Sequence, residues 1–96
     1  MLELNEDNFE AETGSGTVLV DFWSDGCGPC RAMEPVLSEV EAAGIKVCKV
    51  NAGVHMALSS KYGVSAVPTF IIFKDGKIHE QFRGVTSKAR LLEAAQ

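Results

Sequence analysis

The run Thr17-Val18-Leu19-Val20-Asp21-Phe22-Trp23 is β-branched or aromatic at most positions and does not alternate between apolar and polar side chains. A strand of this kind is buried on both faces, so the chain must supply cover above and below it. Its one interruption, Asp21, sets a carboxylate in the middle of that burial. A bend over Ser24–Gly28 then leads into a helical stretch from about Pro29 to Ala43. There the apolar residues Met33, Val36, Leu37 and Val40 recur at the three-and-four spacing of one helix face. Pro35 inside the stretch predicts a kink, and Gly44 closes it.

The rest of the chain completes a layered pattern. Ile45–Asn51 reads as a second strand covered on both faces, as in a parallel sheet. Upstream, Leu2–Leu4 suggests a brief edge strand. Asn5 is a candidate cap for a short helix with Glu6 and Asp7 in its first turn and Phe9 within it. Thr13-Gly14-Ser15-Gly16 is a turn. His55–Tyr62 is a short helix ended by Gly63. Thr69–Lys74 and Lys77–Arg83 are strands joined through Asp75-Gly76, a two-residue hairpin signal. Ser87 caps a last helix carrying Leu91 and Leu92. A parallel half followed by an antiparallel hairpin means an α/β fold, a central mixed β-sheet flanked by helices on both faces. With 96 residues, the expectation is a single domain over residues 1–96.

Charge and hydropathy remove several function classes. The net charge is −4 with the signs mixed and no basic block, so neither nucleic acid nor an anionic membrane is an expected partner. Apolar runs such as Phe70–Phe73 are far too short to span a bilayer, and the acidic first residues do not form a signal peptide. The expected location is therefore cytoplasmic. Three cysteines is an odd number, unsuited to a framework of structural bridges. In a reducing compartment a close pair is catalytic or metal-binding.

That pair is Cys27-Gly28-Pro29-Cys30, which follows a strand and opens a helix. Residues three apart on a helix have Cα atoms roughly 5 Å apart on one face, within disulfide range, so the bond can open and close with little backbone movement. Pro29 suits a first helical turn, where its missing N–H has no intrahelical partner to lose. Gly28 lets a bulky disulfide approach the backbone. A thiolate at a helix N-terminus meets unpaired N–H groups and the positive end of the helix dipole, which lowers the thiol pKa, an effect known for such pairs. The thiolate is the attacking species. Cys27, at the helix end, is the candidate nucleophile, and Cys30, one turn deeper, the candidate resolving thiol. A zinc site needs four ligands, and beyond this pair the chain offers only Cys48, His55 and His79. No second close pair exists, so no metal is expected. Cys48 lies mid-strand and reads as a small buried apolar residue.

A wider set of residues carries a resemblance. Asp21-Phe22-Trp23, Cys27-Gly28-Pro29-Cys30, Lys49, Lys61-Tyr62-Gly63-Val64, Val67-Pro68-Thr69, Phe73-Lys74-Asp75-Gly76 and Gly84 closely resemble the thioredoxin family, in its order and at about its spacings. The resemblance implies a thioredoxin-like fold and a monomer that reduces the disulfides of target proteins. It also implies no cofactor beyond a redox-active Cys27–Cys30 disulfide, which a separate thioredoxin reductase would restore to the dithiol. Gly14-Ser15-Gly16 lacks the context of a nucleotide-binding fingerprint, so electrons must come from another protein.

The resemblance further assigns roles. Pro68 matches the family's cis-proline beside the cysteine pair, turning the Val67 backbone toward an extended target peptide. Asp21, once buried, has a raised pKa and can take a proton from Cys30, while Lys49 in the neighbouring strand moderates the shift. The bland alternative is a structural buried ion pair. Gly26, Gly28, Pro29, Val67, Pro68 and Gly84, with Val85 beside them, form the docking rim. Trp23 packs behind the site.

Two departures from the family pattern bear on partner choice. Gly26 stands where tryptophan is usual, and Asn51-Ala52-Gly53-Val54 lacks the common acidic residue, with His55-Met56 after it in place of a polar-proline helix start. These point to an atypical member with its own reductase or a narrower target set. Two other readings remain open: a dedicated oxidant or isomerase, and a redox-inactive binding module that uses the same fold for docking.

Overall fold

The non-alternating run at residues 17–23 is the middle strand of a five-stranded sheet in the computed structural model, which describes residues 1–96. In chain order the elements are β1 (Leu2–Glu3), α1 (Phe9–Thr13), β2 (Thr17–Trp23), α2 (Gly28–Ala42), β3 (Lys46–Asn51), α3 (Met56–Lys61), β4 (Thr69–Lys74), β5 (Lys77–Arg83) and α4 (Lys88–Ala94). The sheet order is β1-β3-β2-β4-β5. Strands β1, β3 and β2 run parallel, β4 runs antiparallel to β2, and β5 runs antiparallel to β4. This is the mixed sheet expected from the sequence.

Side chains alternate across a strand, and β2 divides its own between two cores. Val18, Val20 and Phe22 join Phe9 of α1 and Leu58 of α3, with Tyr62 against them. Leu19 joins Met33, Leu37 and Val40 of α2 and Leu91 of α4. Helices therefore cover both faces, α1 and α3 on one and α2 and α4 on the other. By the same alternation Asp21 shares a face with Leu19, under α2. Lys49 of β3 shares that face with Val47, which packs in the α2 core.

Most local signals act as their chemistry dictates. Asp75 (φ 50°) and Gly76 (φ 81°) both take the left-handed conformation that a tight two-residue hairpin requires. Ser87 Oγ accepts the Arg90 N–H at 3.2 Å and starts α4. Helix α2 begins one residue earlier than the periodicity predicts, because Cys27 occupies the cap position. It continues without a break through Pro35.

The first helix differs from expectation. Asn5 Oδ1 accepts the N–H groups of Asp7 and Asn8 at 2.8 and 3.0 Å, and Asn8 Oδ1 accepts the Asn5 N–H at 2.8 Å. These reciprocal side-chain bonds close a turn that competes with helix. Glu6 and Asp7 lie in that turn, Asn8 is the cap, and the acidic residues of the first helical turn are Glu10 and Glu12.

The face of α2 against the sheet fixes where its first turn lies. Leu37, with 0% exposure, sits in the middle of that contact. Leu37→Ala is expected to cost about 2–5 kcal/mol of unfolding free energy by urea titration. A loss too small to resolve would contradict this packing.

Candidate active site

The site forms where the carboxyl ends of β2 and β3 meet the start of α2. Beyond Trp23 the chain bends, and the bend is tied to the neighbouring loop. Trp23 C=O accepts the Ala52 N–H at 2.7 Å, and Asn51 Nδ2 donates to Asp25 Oδ2 at 3.3 Å. Gly26 within the bend has φ +74°, a left-handed conformation that strains any residue with a Cβ. Its glycine is therefore a requirement of this backbone as well as an aromatic side chain forgone, a point that sequence comparison alone misses.

Cys27 is the N-cap of α2, with extended backbone (φ −88°, ψ 105°). Its Sγ accepts the Cys30 N–H at 3.1 Å, and its carbonyl accepts the Arg31 N–H at 3.1 Å. The two sulfurs are bonded, with a Cα–Cα distance of 5.2 Å. Cys27 is half-buried, whereas Cys30 is only 3% exposed. A large molecule arriving from solvent therefore reaches Cys27 more readily than Cys30.

The antiparallel half delivers Pro68 to the same end of the sheet. Phe22 is the register partner of Thr69, so Pro68 adjoins the end of β2. The Val67–Pro68 peptide is cis. The Pro68 carbonyl accepts the Gly84 N–H at 2.8 Å, which brings those two docking candidates together. Gly26, Gly28 and Pro29 are exposed at the start of the helix, Val67 and Gly84 are half-buried, and Pro68 is buried. Of the six docking candidates, Pro68 alone is buried. Val85 beside them is 68% exposed.

Beneath the cysteine helix lies a charged cluster. Asp21 is 1% exposed, and neither carboxylate oxygen has a hydrogen-bond partner. Burial pushes its carboxyl up to about 7, against a downward pull from Lys49 and further upward pushes from Glu34 and Glu3. Lys49 is the register partner of Asp21 on β3, as the family resemblance implies. Its ammonium, however, pairs with Glu34 of α2 and lies 4.8 Å from the Trp23 ring centroid. Trp23 is half-buried and walls a small cavity that Cys30, Glu34 and Lys49 also line, so it borders the site as well as packing behind it. Sequence reasoning missed Glu34, although it lies four residues after Cys30 and so on the same side of the helix.

Other candidates fall outside this cluster. Cys48 is fully buried in the opposite core, where burial pushes its thiol pKa up, the character of an inert core residue. His55 Nδ1 lies 2.7 Å from Glu6 Oε1. No group of three or more His, Cys, Asp or Glu side chains is placed to hold a metal ion.

A bonded cysteine pair at the cap of a helix, one sulfur reachable and the other covered, defines a dithiol–disulfide exchange site. The thioredoxin family model matches residues 1–96. The chain is 40% identical over 91 residues to the thioredoxin of Chlamydia caviae, covering 93% of this chain and 89% of that protein. It is 35% identical over 96 residues to the thioredoxin of Bacillus subtilis, covering 97% and 92%. Its fold matches the solved structure of a mutant thioredoxin from Halobacterium salinarum with a TM-score of 0.91 and 31% identity, over 98% of this chain and 86% of that one. The chain belongs to the thioredoxin family and is a thiol–disulfide oxidoreductase.

Because the folded-state pKa of Asp21 is raised from 3.8 to about 7, the folded protein holds a proton that the unfolded chain has released between those values. Stability from this group is full below about pH 4 and falls as pH rises through 7, by on the order of 4 kcal/mol in all. Asp21→Asn should flatten that slope and be the more stable protein at pH 8 in chemical denaturation. Equal stability of the two proteins at pH 8 would contradict a buried, unpartnered carboxyl.

Proposed function

We propose that the chain reduces disulfides of other proteins, with Cys27 as nucleophile and Cys30 as resolving thiol. The observation that carries this reading is the difference in exposure of the two cysteines, together with the Cys30 N–H directed at Cys27 Sγ. In the reduced protein that N–H and the dipole of the 15-residue α2 favour the Cys27 thiolate. The thiolate attacks one sulfur of a target disulfide; a Cys27–target bond forms, and the other target sulfur leaves as thiolate. Cys30 then loses its proton and attacks Cys27 Sγ. The Cys27–Cys30 bond forms, the second target thiolate leaves, and two electrons have passed to the target.

Asp21 is the proposed acceptor of the Cys30 proton. A carboxyl titrating near 7 is matched to that task at neutral pH, and Lys49 moderates its affinity for the proton. Targets dock as extended chains over Gly26, Gly28, Pro29, Val67 and Gly84, with Pro68 setting the Val67 backbone. Membership of the family supports disulfide-containing targets, work without a bound cofactor, and return to the dithiol by a thioredoxin reductase. We assign it as one domain acting as a cytoplasmic monomer; no helix is long and apolar enough to cross a membrane.

Insulin reduction driven by dithiothreitol tests the assignment. Cys27→Ser should abolish it, and Cys30→Ser should accumulate a mixed disulfide between Cys27 and the target, visible on non-reducing gels. Substantial turnover by Cys27→Ser, or trapping through Cys30 instead, would overturn the roles.

A further inference from the structure

Lys49 has two carboxylates within the reach of its flexible stem, and it uses only one. Asp21 is its register partner on the adjacent strand, yet both Asp21 oxygens lack a partner. The ammonium instead meets Glu34, whose side chain is 41% exposed while that of Lys49 is 13% exposed. An ion pair at the half-exposed edge keeps more hydration than one formed around the buried Asp21, where desolvation opposes both charges. Glu34, Lys49 and Cys30 line one cavity, so this choice of partner is made beside the resolving thiol.

We infer that Glu34 is a positioning residue that draws the Lys49 ammonium away from Asp21 and so sets the pH range over which Asp21 accepts the Cys30 proton. The inference rests on the proposed role of Asp21 as that acceptor. Charge reaches Asp21 from three elements: Lys49 on β3, Glu34 on α2 and Glu3 on β1. Its β4 partner is Phe70, which carries none. Arg31 and Asp25 line the cavity with Glu34 and Lys49. Removing the Glu34 charge acts twice in one direction. It deletes a negative neighbour that favours the protonated acid, and it frees Lys49 to approach Asp21 and favour the anion. The side chain itself offers the control, because Glu34→Asp keeps the charge whereas Glu34→Gln removes it.

The experiment follows the Asp21 side-chain carboxyl by carbon-13 NMR against pH in the oxidised protein. In parallel, single-turnover release of a mixed disulfide on Cys27 is timed across pH. Wild type, Glu34→Gln, Glu34→Ala, Glu34→Asp and Asp21→Asn are compared, with thermal melts to verify folding. Glu34→Gln and Glu34→Ala should lower the Asp21 midpoint by about one unit or more, a tenfold change in proton affinity. The rising limb of the release profile should move to lower pH with it. Glu34→Asp should return the midpoint toward wild type. A merely structural Glu34 would lower the melting temperature and leave the midpoint in place, and that result overturns the inference. If Asp21→Asn leaves the release profile unaltered, Asp21 is not the proton acceptor and the inference falls with that role. If Asp21→Asn flattens the profile but Glu34→Gln moves nothing, the acceptor role stands and only the inference is lost.

Discussion

Helix α2 lies against the sheet through Met33, Leu37 and Val40, in the core that also holds Leu19, Val47, Phe70 and Ile72. Close packing of this kind leaves the helix little freedom to slide or roll. Its first turn therefore sits at the carboxyl ends of β2 and β3, and Cys27 becomes its cap. The 5.2 Å spacing of the two cysteine Cα atoms follows from helical geometry, and their unequal exposure follows from which end of the helix faces out. The chemistry of the pair is in this sense a consequence of a hydrophobic interface that begins one turn further along the helix, at Met33.

The same interface creates the electrostatic problem below the pair. Asp21 belongs to a strand covered on both faces, on the side that α2 covers, so its carboxylate is deprived of water. A carboxyl held there without a partner is a stability cost at neutral pH, and a core residue chosen only for packing would be apolar. The protein keeps it next to a lysine and a second acid, Lys49 and Glu34, which push its proton affinity in opposite directions. Stability and the proposed proton transfer thus meet at one side chain. A fold optimised for stability alone would remove it.

Much of this was legible in the sequence. Strands β2 and β4 fall at the residues that their β-branched and aromatic composition indicates, β5 follows the Asp75-Gly76 hairpin turn, and Ser87 acts at the cap that its chemistry prescribes. These signals are local, so a linear reading captures them. The start of α1 was not legible, because the bonds between Asn5 and Asn8 hold a turn that looks in sequence like the beginning of a helix. The cysteine pair was plain from its spacing, its place between a strand and a helix, and the family residues around it. Glu34 was not, since its importance depends on where the Lys49 ammonium points, a fact set by packing between α2 and β3. Gly26 was noticed as a missing tryptophan, but its left-handed backbone is visible only in three dimensions.

At the centre of the proposed mechanism, the helix cap leaves Cys27 half-exposed and favours its thiolate in the reduced protein, while Cys30 stays covered. The direct measurement is the rate of iodoacetamide alkylation of the reduced protein across pH, with mass spectrometry to locate the label. Cys27 is predicted to be labelled first, with a rate midpoint well below the value of about 8.5 for a free cysteine. A midpoint at that free value, or equal labelling of Cys30, would contradict it.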